Sequence, residues 1–138
     1  MLNYNQALPE QTLLQDLQMK EIKPIMKLVI RGKKREFISA IGKSLNIILP
    51  TEANTSTQSD KLTALWLSPD EWMIFSNEPV DENTNTYETE KLLNKSISKL
   101  NLGAIIDVTD QFVMINLKGN KIYELFQAGS PFNFNNFQ

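Results

Sequence analysis

Residues 62–76 read Leu62-Thr63-Ala64-Leu65-Trp66-Leu67-Ser68-Pro69-Asp70-Glu71-Trp72-Met73-Ile74-Phe75-Ser76, and this stretch decides the fold class. Two apolar runs, Leu62 to Leu67 and Trp72 to Phe75, flank Ser68-Pro69-Asp70-Glu71. Proline pre-sets the backbone at the second position of a type I turn and aspartate suits the third, so the stretch predicts a β-hairpin. Apolar residues fall on both faces of each strand, which predicts a central hairpin that is covered on both sides. Trp66 and Trp72 are expected to be largely buried, because a full aromatic side chain contributes about 2–3 kcal/mol when removed from water.

Working outward, Met26 to Arg31 is a strand ended by Gly32. Residues 33–45 switch to a helical period, with Phe37, Ile38, Ile41 and Leu45 on one face. Asn46 to Pro50 is a short extended piece, and residues 51–61 and 77–85 are polar loops. Asn85 and Glu88 suit a capping box for a helix over 86–100, with a stripe of Leu92, Leu93, Ile97 and Leu100. Gly103 starts a strand over 104–108, and Thr109-Asp110 turns it into a second strand over 112–117. A helix over 120–128 should point Ile122, Leu125 and Phe126 inward, with Gly129 at its C-cap. Residues 1–24 are polar, with a helical turn or two around Leu13, Leu14 and Leu17 and a Thr12/Gln15 capping box. They read as a frayed tail or as an arm lying on a partner.

The expected fold is α+β: a mostly antiparallel sheet of the 26–31, 62–67, 72–76, 104–108 and 112–117 segments, with helices packed on one face. The expected organisation is an N-terminal arm, 1–25, and a single domain, 26–138. A length of 138 residues suits one domain with a real core. The net charge of −2 offers no electrostatic case for nucleic acid or an anionic membrane. No apolar run approaches the roughly 18 residues of a spanning helix, and a cytoplasmic location is expected. Zero cysteines and zero histidines leave no disulfide, thiolate metal site, cysteine nucleophile or Ser-His-Asp triad.

Few constellations remain that could carry chemistry. Asp107 and Asp110 flank Val108-Thr109 and read as turn caps, with a shared-proton or cation site as the alternative, short of ligands for magnesium or calcium. Asp70 and Glu71 lie beside Trp66 and Trp72, where an aromatic wall with a carboxylate would suit a pterin or flavin ring. Core or interface anchoring is the commoner use of such tryptophans. Gly32-Lys33-Lys34-Arg35 and Gly119-Asn120-Lys121 have the position of anion-binding turns but lack glycine-rich spacing. Phe132, Phe134 and Phe137 need a partner surface. Extended, the first two rings share a face beside an open strand edge, so a larger subunit or, in isolation, a second copy in a homodimer is expected to cover them. Folding back over the 120–128 helix is the alternative. No nucleophile, base and oxyanion hole assemble, so a self-sufficient enzyme is not expected.

Several segments together resemble the gamma subunit of heterotetrameric sarcosine oxidase. They are Lys27 to Gly32 (KLVIRG), Leu49-Pro50-Thr51 with Asn54-Thr55, Leu65 to Trp72 (LWLSPDEW), Ile106 to Asp110 (IDVTD), and Ile115 to Gly119 (INLKG) leading to Gly129-Ser130-Pro131. The match runs from about residue 26 to the end, and LWLSPDEW is its most specific part. That family in turn resembles the folate-binding domain of the glycine-cleavage aminomethyltransferase, although Asn120 to Tyr123 (NKIY) departs from its helix's usual small residue. Relatives continue through further strands and a closing helix, so a chain ending at Gln138 is expected either to be naturally short or to lack their C-terminal part. The resemblance implies an accessory subunit of a complex that oxidatively demethylates sarcosine to glycine and passes the one-carbon unit to tetrahydrofolate. It also implies that FAD, FMN, NAD and tetrahydrofolate belong to larger flavoprotein subunits, with no cofactor bound by this chain. A stand-alone folate-binding or one-carbon transfer protein is the alternative.

Overall fold

The computed structural model describes residues 5–8, 12–14, 16–79 and 86–134. They form two compact units, Lys23–Phe112 and Met1–Ile22 with Val113–Gln138. This differs from the expected arm and single 26–138 domain, because the first and last segments of the chain pair with each other.

In the 23–112 unit, β3 (Lys27–Arg31), β4 (Ser56–Gln58), β5 (Leu62–Ser68), β6 (Glu71–Ser76) and β7 (Ala104–Asp107) form one sheet in the order β4-β5-β6-β3-β7. Every neighbouring pair is antiparallel. The predicted hairpin is β5–β6, and β6 is the middle strand. Its register sets Trp66 opposite Trp72, and Leu67 takes up a shift before Ser68 pairs with Glu71. Helices α1 (Arg35–Leu45) and α2 (Thr86–Ile97), the latter followed by a 3-10 turn over Ser98–Leu100, contribute Phe37, Ile41, Leu93 and Ile97 to the core.

Strand alternation explains which residues meet the helices. Leu28 and Ile30 of β3, Ala64 of β5, Trp72 and Ile74 of β6, and Ile105 of β7 are all buried in that core. The other face is less well covered than expected: Val29, Leu65, Met73 and Phe75 are half-buried and Ile106 is 51% exposed. The α2 stripe is also narrower than predicted. Leu93 and Ile97, one turn apart, are buried, whereas Leu92 is 69% exposed. The Asn85/Glu88 capping box lies outside the described residues and side chains.

Phe37 is fully buried between two glycines that the sequence reading treated only as strand ends. A Cβ at Gly32 would lie 2.5 Å from Phe37 Cδ1, and one at Gly103 would lie 2.5 Å from Phe37 Cζ. Hydrogen at both positions is what admits the ring against the ends of β3 and β7.

The other unit corrects two expectations. Residues around Leu13 to Leu17 do not form a helix. They give β1 (Thr12–Leu14) and β2 (Leu17–Glu21), an antiparallel pair that is extended by β8 (Ile115–Lys118) in the order β1-β2-β8. The segment expected as a 112–117 strand of the main sheet therefore belongs to a different sheet and starts later. Gly119 has φ +139°, and a Cβ there would meet Asp16 O at 2.0 Å, so its role is a close backbone approach. Helix α3 (Ile122–Gly129) buries none of its residues. Leu125 and Phe126, expected inward, are 42% and 40% exposed. Gly129 ends the helix without a left-handed turn, and Ser130 beyond it is extended.

Candidate functional site

A buried polar arrangement in the 23–112 unit joins the start of β3 to the end of β7. Lys27 is only 4% exposed. Its ammonium Nζ donates to the carbonyl oxygens of Ile25 (3.1 Å) and Thr109 (3.2 Å), and its backbone N–H donates to Thr109 Oγ1 (3.0 Å). Val108 N–H returns a bond to Lys27 O (2.9 Å). Asp107 Oδ1 accepts the Thr109 N–H at 2.8 Å, the local turn expected of aspartate two residues before a free donor. Asp107 Oδ2 is buried without a hydrogen-bond partner among the described residues, while Asp110 is exposed. Sequence reasoning singled out the two aspartates but not Lys27, which reads as one more polar residue at a strand start.

Burial pushes the Lys27 ammonium below the ordinary lysine pKa of 10.5, against the opposing pull of the Asp110 and then the Asp107 carboxylates. Between the lowered folded value and 10.5, the unfolded chain binds more protons than the folded one. Stability therefore rises with pH across that alkaline window, and the gain is complete above 10.5. Lys27→Met should abolish this rise, and Asp110→Asn should widen it by removing the main stabilising charge. Urea unfolding midpoints between pH 7.5 and 11 check both; an unchanged rise in Lys27→Met would contradict the assignment.

The second cluster is the Ser68-Pro69-Asp70-Glu71 turn. Ser68 Oγ donates to Asp70 Oδ1 at 2.9 Å, and Gly32 N–H donates to Asp70 O at 2.8 Å. Arg31 and Lys33 each lie 3.9 Å from Asp70 Oδ2. Their side chains are 66% and 82% exposed, so these ion pairs contribute little stability. Asp70 is thus engaged in turn geometry and in docking the hairpin against the end of β3.

The tryptophans beside this turn do not form an open wall for a ring. Trp72 is 1% exposed, and its indole Nε1–H donates to Pro50 O at 2.7 Å. It is a core residue and offers no surface to a partner, while Trp66 is half-buried. With no histidine or cysteine in the chain, covalent attachment of a flavin through either is also excluded.

In the other unit, Phe134 stacks on Phe126 of α3 (centroids 5.3 Å apart) and meets Phe132 edge-on at 5.0 Å. Residues 131–134 do not run on as an extended strand; they fold back toward their own helix. Phe132 nonetheless stays 58% exposed, and Phe137 lies outside the described residues. Gly119-Asn120-Lys121 forms no anion-binding turn of the expected kind: Lys121 Nζ lies 4.0 Å from Asp16 Oδ2 and Gly119 is pressed against Asp16. Among the described residues, no three His, Cys, Asp or Glu side chains are grouped to hold a metal ion. No helix there is long and apolar enough to cross a membrane.

Both clusters tie strand ends to turns. The profile of the sarcosine oxidase, gamma subunit family matches residues 31–137. The chain belongs to the sarcosine oxidase gamma subunit family. The match includes the LWLSPDEW turn and the IDVTD segment, which here build the Asp70 and Asp107 clusters. Among solved structures, a chain of heterotetrameric sarcosine oxidase from Corynebacterium sp. U-96, in complex with pyrrole 2-carboxylate, superimposes with a TM-score of 0.70 at 18% identity. The match covers 86% of this chain and 57% of that one, and it shows that the two share a fold. No curated protein sequence matches the chain.

Proposed function

We propose that this gamma-subunit family member is a non-catalytic subunit of a sarcosine oxidase-like flavoenzyme complex and acts in its assembly. The family match over residues 31–137 carries the reading. It is supported by the two carboxylate clusters, in which Asp70 Oδ1 and Asp107 Oδ1 are each taken up by a local turn. In this reading the larger subunits hold the flavins, the nicotinamide cofactor and folate, oxidise sarcosine to glycine and pass on the one-carbon unit. In isolation, the exposed apolar residues of α3 and Phe132 favour a homodimer.

Co-expression with the flavoprotein subunits of a sarcosine oxidase-type complex, followed by affinity purification and sedimentation, tests the reading. Recovery of the flavoprotein subunits in fixed stoichiometry is expected, as is a dimer for the chain alone at tens of micromolar. A monodisperse chain that recovers no flavoprotein would overturn it. Isothermal titration with tetrahydrofolate separates the alternative, since micromolar binding by the isolated chain would mark a stand-alone folate-binding or one-carbon transfer protein.

A further inference from the structure

An open groove of about 1050 Å³ in the 23–112 unit is lined by α1, the segment 46–51 and β4. Gly42 shapes it: a Cβ there would sit 2.9 Å from Ile47 O, so glycine lets the chain leave α1 and lie close against it. Asn46 makes the turn in a left-handed conformation, φ 51°, and Thr57 Oγ1 donates to Ile48 O to tie the segment to β4. Ile38, Ile47 and Ile48 supply apolar lining, and the Ile48 side chain is 80% exposed at the rim.

Three features define an occupant. Among the described residues, the only ionisable side chains lining the groove are Arg35 and Lys43, although the whole chain carries a net charge of −2. The local sign is therefore opposite to that of the molecule, and complementarity calls for an acidic partner. The two cations are eight residues apart on α1, about 12 Å along its axis. That is too far apart for one small anionic headgroup, but it matches acidic residues four apart on an extended chain at about 3.3 Å per residue. Finally, among the described residues β4 ends the sheet with no strand on its far side. Thr55 O accepts from Trp66 N–H and Ser59 N–H donates to Leu62 O, so the alternation turns the backbone groups of Ser56 and Gln58 toward the open side.

Resting on the assembly reading above, we infer that this groove receives an extended acidic segment of a larger partner subunit, added as a strand along β4. Side chains at alternate positions point the same way. An acidic–x–apolar–x–acidic stretch therefore sets its apolar residue on Ile48 and its carboxylates at Arg35 and Lys43.

The test uses the full chain and the co-expressed flavoprotein subunits. Arg35→Glu with Lys43→Glu should weaken association at least tenfold, and Ile48→Ser should weaken it without changing charge. The control Lys95→Glu with Lys99→Glu, on exposed positions of α2 and its following turn, should change it less than twofold. Unchanged thermal melting of each variant shows that the fold is kept. A photo-crosslinking residue at position 48 should join to an acidic stretch of a larger subunit. Wild-type affinity in the Arg35/Lys43 variant, or a crosslink only to a second copy of this chain, would overturn the groove assignment while leaving the assembly reading intact. Failure of the wild-type chain to bind the flavoprotein subunits would overturn both.

Discussion

Trp72→Ala should destabilise the 23–112 unit by about 3–5 kcal/mol, the range for emptying a fully buried large aromatic site. Trp72 is the largest of the fully buried side chains and sits on the middle strand of the sheet. Its neighbours Ile30 and Ile74 are held by strand pairing, so the site cannot collapse into the vacated volume. The indole also satisfies the carbonyl of buried Pro50, which would be left without its donor. Trp72→Phe separates the two contributions. It keeps most of the ring volume and loses the N–H, so it should cost about 1–3 kcal/mol. Urea unfolding followed by circular dichroism reads both. Equal losses in the two variants would show that the hydrogen bond, not the packing, dominates.

Gly103→Ala should destabilise by about 3 kcal/mol or more, although it adds a single methyl group. The added Cβ would lie 2.4 Å from Arg31 O and 2.5 Å from Phe37 Cζ. A side-chain ring can be trimmed, but a carbonyl on the neighbouring strand can move only if the β3–β7 pairing moves. Combining Gly103→Ala with Phe37→Leu should therefore restore part of the stability lost on top of the Phe37→Leu background, never all of it. A double-mutant cycle measures that coupling. Gly129→Ala is the contrast: nothing lies within 4 Å of its Cβ and the residue ends a helix, so the change should be within about 0.5–1 kcal/mol of neutral, on the stabilising side. A loss of similar size at both glycines would refute the close-approach argument.

Much of the 23–112 unit was legible from the residues alone. The β5–β6 hairpin could be read because Ser-Pro-Asp-Glu is local turn chemistry between two apolar runs, and α1 because Phe37 and Ile41 repeat at helical spacing. The family resemblance followed from LWLSPDEW for the same reason, since a contiguous motif carries its signal whatever surrounds it.

What failed were statements about which element meets which. The Leu13–Leu17 stretch has apolar spacing that serves either a short helix or a strand pair, and pairing of β2 with β8, some hundred positions later, settled it as strands. The inward faces assigned to α3 rested on periodicity, which gives an apolar stripe without saying whether anything covers it; α3 buries nothing. Phe134 met Phe126 because the chain bends at Pro131 and Phe132, and an alternating pattern of rings cannot encode that bend. Lys27 shows the same divide at the polar cluster. Its charge and strand position were visible in the sequence, but its burial came from Thr109, 82 residues away. Local dihedral preference and apolar periodicity are properties of neighbouring residues, so the sequence by itself determined α1, the central hairpin and the family. Desolvation and long-range pairing depend on residues far apart in the chain, so only the tertiary structure decided the second sheet, the cation held under the IDVTD turn and the basic groove along β4.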